Sequence, residues 1–275
     1  MARQNYFDIL NRMEFDPQRE LKNLVDLLEM EKNFKSIYYE TSLNSAISNN
    51  FLDYPNRSTF TSYSKMMEFI GANIYNTTEQ LFVFSEFLVD IFCNLAEKFT
   101  EEESEFIQII FDNIKRFLEL SNHELITLDN GNKIIVEKNV YASEASQIVS
   151  ETSIEEAIKV LEYNHFSNKG NIQRKKEILI ALANYLEPFR RELNNSEELK
   201  DILKVNNQKV IAFEKLFEMY NNFGLRHNNS NQYHLDLADD ELELWYDDIY
   251  TSTLFVILSM DQSRILSKLK TLREG

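Results

Sequence analysis

Glycine and proline are nearly absent, at five and three residues in 275. All-β and doubly wound α/β folds need many turns and usually more of both residues, so this scarcity points to long helices. One cysteine, Cys93, rules out a disulfide framework within the chain and points to a reducing compartment. Placed in the apolar run Leu88 to Leu95, it reads as a small buried side chain. No apolar run approaches the ~20 residues that span a bilayer. The start Met1-Ala2-Arg3-Gln4-Asn5 also lacks the apolar segment of a secretory signal. The expectation is a cytoplasmic protein with no membrane partner. Four histidines and the cysteine are scattered without ligand spacing, so neither a metal nor a cofactor is expected. No glycine-rich phosphate loop, GxSxG elbow or protein-kinase signature occurs. Basic residues are few, 29 against 45 acids, and the formal charge is −16. That balance argues against a broad nucleic-acid footprint, yet it leaves room for a local basic pocket or a basic protein partner.

What is present is 43% hydrophobic, ample for a core, and patterned mostly at helical spacing. Asp16-Pro17 reads as a helix start followed by Leu21, Leu24, Val25 and Leu28 on one face. Residues 43–57 are polar and asparagine-rich, a loop or short helices, and 59–75 predict a helix. Thr77 with Gln80 and Thr100 with Glu103 have capping-box spacing, opening two apolar helices expected to pack antiparallel. Two β-rich runs flank Asn130-Gly131, which predicts a hairpin over about 124–138. A linker or short helix follows to 152. Ser153 with Glu156, Ile172 to Leu186, Ser196 and Gln208 to Asn222 mark further helices. Pro188 interrupts them, and Gly224 reads as a stop. The last long helix begins at Asp239 or Asp240. The expected organisation is an N-terminal helical domain (1–123), a hairpin and linker (124–150) and a C-terminal helical domain (151–275).

The most informative stretch joins the last two helices: Phe223-Gly224-Leu225-Arg226-His227-Asn228-Asn229-Ser230-Asn231-Gln232-Tyr233-His234. Two of the four histidines lie here, beside an arginine that keeps its proton. A permanent cation next to a group titrating near neutrality suits phosphodiester chemistry. Gly224-Leu225-Arg226-His227, with the polar loop and apolar final helix after it, resembles the HEPN superfamily, in particular the C-terminal domains of bacterial abortive-infection proteins. The resemblance covers about residues 151–270. The helices carrying Ile154 to Leu161 and Arg174 to Pro188 resemble the leading helices of such domains. It implies a small, commonly dimeric helical bundle. In many members it also implies metal-independent RNA cleavage, with Arg226 as the motif arginine, His227 as the polar residue after it and His234 as the motif histidine. Seven residues separate Arg226 from His234, one more than the family's usual upper limit. Other members are inactive and serve as dimerisation or interaction modules.

For an active site the implied chemistry is attack of an RNA 2′-hydroxyl on its own phosphodiester. A histidine moves the proton, and Arg226 stabilises charge on the phosphate oxygens. The plainer alternative makes Arg226 a cap on the preceding helix end and both histidines solvated loop residues. His123 and His165 read as structural or solvated. The acids Asp236, Asp239, Asp240, Glu241 and Glu243 read as a solvated helix start. Lys175, Lys176, Arg190 and Arg191 read as a solvated helical face, with RNA contact as the alternative. The functional expectation is phage defence or toxin-like activity through RNA cleavage or binding at the Arg226 loop. The alternative is a non-catalytic module that dimerises through its C-terminal domain while the N-terminal domain meets a protein partner.

Overall fold

The computed structural model describes residues 14–36, 39–74, 76–226 and 237–274, with the main chain alone at 32–36, 39–41 and 274. The chain is all-α with small antiparallel β-pairings. It divides into two compact units: residues up to Ile126 with Asn132–Ile135, and Thr127–Gly131 with everything from Val136 onward.

In the first unit, Asp16 caps α1 (Pro17–Glu29) by accepting from the Gln18 and Arg19 amides. The asparagine-rich stretch contains α2 (Leu43–Asn50) and two short 3-10 turns, and α3 (Tyr63–Ala72) follows. The helix α4 (Thr77–Asn94) starts where expected, but its cap is Asn76, which accepts from Thr78. The Gln80 amide turns back to the Ile74 carbonyl, so the predicted Thr77 box does not form. At α5 (Glu101–Leu120) the Thr100–Glu103 box is complete in both directions. Helix α1 packs against both α4 and α5, burying Leu24 and Leu28 with Leu81, Phe82, Ile110 and Phe117. A strand pair, β1 (Lys32–Ser36) and β2 (Tyr39–Thr41), also belongs here. Cys93 is exposed on α4 and not buried as expected, because its helix turns the faces carrying Ile91 and Phe92 inward.

The expected hairpin is present as β3 (His123–Thr127) and β4 (Lys133–Glu137), and the division between units runs through it. Only Gly131 takes a positive φ, +85°, while the Gly131 amide donates to the Leu128 carbonyl. This is a type I turn closed by a left-handed glycine, not the two-residue turn that Asn-Gly predicts.

The second unit is a helical bundle. Residues expected as linker or short helix form α6 (Val140–Ser150), which buries Ala142, Ala145 and Val149 against α7 (Ile154–Glu162). Ser153 precedes α7 without capping it; its hydroxyl donates to Glu156 instead. Then come α8 (Ile172–Leu186), a 3-10 turn over Glu187–Phe189, α9 (Arg190–Asn195) and α10 (Glu197–Ile202). Pro188 therefore ends α8 within one turn. A tight pair, β5 (Val205–Asn206) and β6 (Lys209–Val210), puts its second strand where the sequence predicts the helix from Gln208 to begin, so α11 spans Ile211–Asn222. The last helix, α12 (Asp239–Glu274), packs against α6, α8, α10 and α11. Ile178, Leu182, Phe213, Leu216, Phe217, Ile249 and Ile257 fill the centre.

Candidate functional site around Arg226

Gly224 stops α11 as its sequence predicts. Its φ is +66°, and the Leu225 amide donates to the Tyr220 carbonyl at 2.9 Å, the long bond of a Schellman cap. Leu225 is buried at the turn, so the chain leaves α11 in one fixed direction and presents Arg226 beside the helix it has just completed.

The Arg226 side chain is only 10% exposed. Its guanidinium stands over the Phe217 ring at 5.6 Å and pairs with the Glu187 carboxylate at 2.8 Å. A longer bond of 3.5 Å reaches the Asn221 side chain. Arg226 therefore caps no helix carbonyl. The alternative of a carbonyl cap is replaced by an ion pair between the end of α8 and the end of α11. The pair is poorly aligned: Glu187 Oε2 is buried yet accepts no hydrogen bond of acceptable geometry among the described residues, although the rest of that carboxylate reaches solvent. Beneath the pair, Tyr220 donates to or accepts from Thr253 at 2.6 Å, and burial pushes its phenol well above the ordinary range.

The other two predicted site residues, His227 and His234, lie outside the described residues, as do Asn228, Asn229, Asn231 and Asp236. His165 caps a 3-10 turn, its Nδ1 accepting from the Ser167 amide at 3.2 Å. His123 packs 4.6 Å from the Phe82 ring and bonds the Ser121 carbonyl through Nδ1. Both are structural. Among the described residues no group of three or more His, Cys, Asp or Glu is placed to hold a metal ion, and no helix is long and apolar enough to cross a membrane.

Two charged clusters were not legible as such. Arg190 clamps Glu214 with Nε at 3.2 Å and Nη2 at 2.8 Å, and it lies 4.7 Å from the same Phe217 ring that carries Arg226. These hydrogen bonds from Arg190 hold the Glu214 carboxyl below its usual range. The second cluster joins α8 to α12. Lys175, read in sequence as a solvated face, is buried and pairs with Glu243 and Asp247, both at 2.7 Å. Glu243 is correspondingly not a solvated residue; it also accepts from the Gly170 amide at 2.7 Å. Burial alone would raise its carboxyl, but the Gly170 amide and Lys175 outweigh that and hold it low. Glu162 behaves alike: burial opposes ionisation, while Lys159 and Arg174 more than compensate. The signal for both clusters is partner placement across the fold, which spacing along one helix does not carry.

A pH dependence follows with a definite sign. Glu162, Glu214 and Glu243 titrate lower in the folded state than in the unfolded chain. Their contribution is complete above the ordinary glutamate value of about 4.3 and is lost as pH falls through the depressed folded values. Thermal melts should show constant stability near neutrality and a steep loss below about pH 4. Glu214→Gln should flatten that acid limb; an unchanged limb would remove Glu214 from the account.

Comparison with protein-family models, with curated proteins and with solved structures gives no match to this chain.

Proposed function

We propose that the second unit acts on RNA at the loop beginning with Arg226, as a phage-defence or toxin-type protein of the HEPN kind, working in the cytoplasm as a homodimer. One observation carries the reading. Arg226 is held by Phe217, Glu187 and Asn221 at the point where the histidine-bearing segment leaves α11. A guanidinium fixed before substrate arrives is what stabilisation of a phosphorane-like charge requires. The histidines of the same segment supply a proton carrier.

A second reading has its own support. Glu187 already neutralises Arg226, and the side chain is nine-tenths covered. An arginine spent on a carboxylate suits a non-catalytic module whose second unit dimerises while the first meets a protein partner. Expression in a bacterial host separates the two. The RNA-acting reading expects growth arrest and cleavage of total RNA that persists in EDTA, leaving 2′,3′-cyclic phosphate ends. Cleavage that needs magnesium would remove the mechanism. Absence of both arrest and cleavage, with a dimer still seen by light scattering, would establish the non-catalytic module; a strict monomer at tens of micromolar would count against both.

A further inference from the structure

A second polar site lies close to the Arg226 pair in the second unit: a cavity of about 440 Å³ between the end of α8, helix α9 and the β5–β6 turn. Its floor is rigid. Asn194 is buried, donates to Glu214 at 2.8 Å and accepts from the Val210 amide at 2.9 Å. Glu214 is clamped by Arg190 and has Lys209 at 3.4 Å. The rim differs. Arg191, Asn195, Asn207 and Gln208 are exposed and make no side-chain hydrogen bond or ion pair with any described residue.

The donor balance decides what chemistry fits. Of the two carboxylates at the cavity, Glu214 is clamped by Arg190, and Glu187 lies 2.8 Å from Arg226 in the poorly aligned pair described above. The groups left over are mainly donors: the Arg191 guanidinium, the outward protons of the Lys209 ammonium and the rim amides. Three cations, Arg190, Arg191 and Lys209, line the cavity against two carboxylates, and leftover donors that outnumber leftover acceptors suit an acceptor-rich anion better than a cation. The turn points the same way. Asn207 and Gln208 both take left-handed φ, 48° and 63°, although glycine is the residue that adopts this conformation freely. Gln208 thus keeps an amide on the cavity rim at a position where the turn itself favours its loss. The volume lies within the range of small-molecule sites and accommodates a nucleotide-sized group.

We propose that this cavity binds a phosphate-bearing ligand, with Arg191 and Lys209 as its charged contacts and Asn195, Asn207 and Gln208 as its amide contacts. The ligand's phosphate belongs to a free nucleotide or to one residue of an RNA strand. The assignment does not rest on RNA cleavage at Arg226.

The test is calorimetric titration of the intact protein at low salt with inorganic phosphate, a ribonucleoside monophosphate, and a six-nucleotide 2′-O-methyl RNA that lacks the attacking hydroxyl. Saturable binding of at least one is expected. Arg191→Ala, at an exposed position, should weaken it about tenfold or more through loss of charge-assisted bonds. Lys215→Ala, which removes an exposed cation paired with Glu218 elsewhere on α11, should leave it unchanged. Tighter binding of the mononucleotide identifies a free nucleotide as the ligand; tighter binding of the oligomer identifies a strand. No saturable binding by any probe, no effect of Arg191→Ala, or an equal effect of Lys215→Ala would overturn the proposal. A protein that cleaves RNA but shows no phosphate affinity sensitive to Arg191 would overturn this site and leave the Arg226 reading standing.

Discussion

Arg226→Ala is expected to abolish the proposed RNA cleavage, a loss of at least about 100-fold, while leaving a folded protein. In the proposed mechanism the size comes from removing the guanidinium assigned to stabilise charge as it builds on a phosphate oxygen in a partly covered site. Arg226→Lys should recover little, because an ammonium lacks the planar fork that engages two oxygens at once. Glu187→Gln is the informative companion. It removes the charge that holds Arg226 yet keeps the shape and one hydrogen-bond acceptor beside Nη2. If Arg226 works on phosphate, this variant retains or gains affinity for RNA, since the guanidinium no longer has to leave a carboxylate. If Arg226 serves only to tie α8 to α11, both variants lower the melting temperature and neither changes any RNA readout. His234→Ala should cost more than His227→Ala where His234 moves the proton; the reverse order exchanges their roles. Cleavage that survives Arg226→Ala would end the proposed mechanism.

The helices were largely readable because their signals are local. Asp16-Pro17, the Thr100–Glu103 box and Gly224 each act through atoms within one turn of chain, and each performs its predicted task. The β5–β6 turn was not readable. Val205-Asn206-Asn207-Gln208-Lys209 contains no glycine, so nothing in it announces two left-handed residues, and a single helix from Gln208 was the natural reading. The site was readable in part. Spacing identifies Arg226 and its neighbouring histidines as an unusual group, and the structure places Arg226 at the end of a fixed cap. Glu187 is another matter. It lies 39 positions earlier in the chain, and nothing in Glu187-Pro188 indicates that the turn after α8 returns to the end of α11. The same holds for Lys175, whose partners lie some seventy residues onward. Charges near a helix start look solvated in sequence unless the opposing element is known.

The Lys175 cluster carries the largest stability prediction. Lys175→Ala is expected to destabilise the second unit by about 3 kcal/mol, in the range for breaking a buried ion pair on one side only. Two terms add. Glu243 is four-fifths covered and would lose its cation, and Asp247 lies one helical turn further along α12, where two like charges repel once Lys175 is gone. The buried alkyl stem, packed beside Tyr163 with Nζ 5.5 Å from its ring, is lost as well. One term subtracts: Asp247 is nearly half exposed and still accepts from the Tyr163 hydroxyl at 2.8 Å, so water and that bond recover part of its energy. For a unit of this size the melting temperature should fall by roughly 10 °C. Lys175→Met separates the contributions, since it keeps the stem and removes only the charge; it should retain part of the lost stability. Adding Glu243→Gln to Lys175→Met should recover more, because the buried carboxylate is then neutral. The Gly170 amide still has an acceptor in the glutamine oxygen. The consequence reaches the proposed site: the Lys175 pairs fasten the first turns of α12, and the Arg226–Glu187 pair fastens the end of α11, so the two ion clusters bracket the segment carrying His227 and His234. Lys175→Ala should therefore lower any RNA activity at temperatures where the unit is still folded, whereas Lys215→Ala, which removes an exposed cation paired with exposed Glu218 on α11, should change neither by much. A melting temperature within 2 °C of wild type for Lys175→Ala would show that solvent satisfies Glu243 and Asp247 and that the cluster does not hold α12 in place.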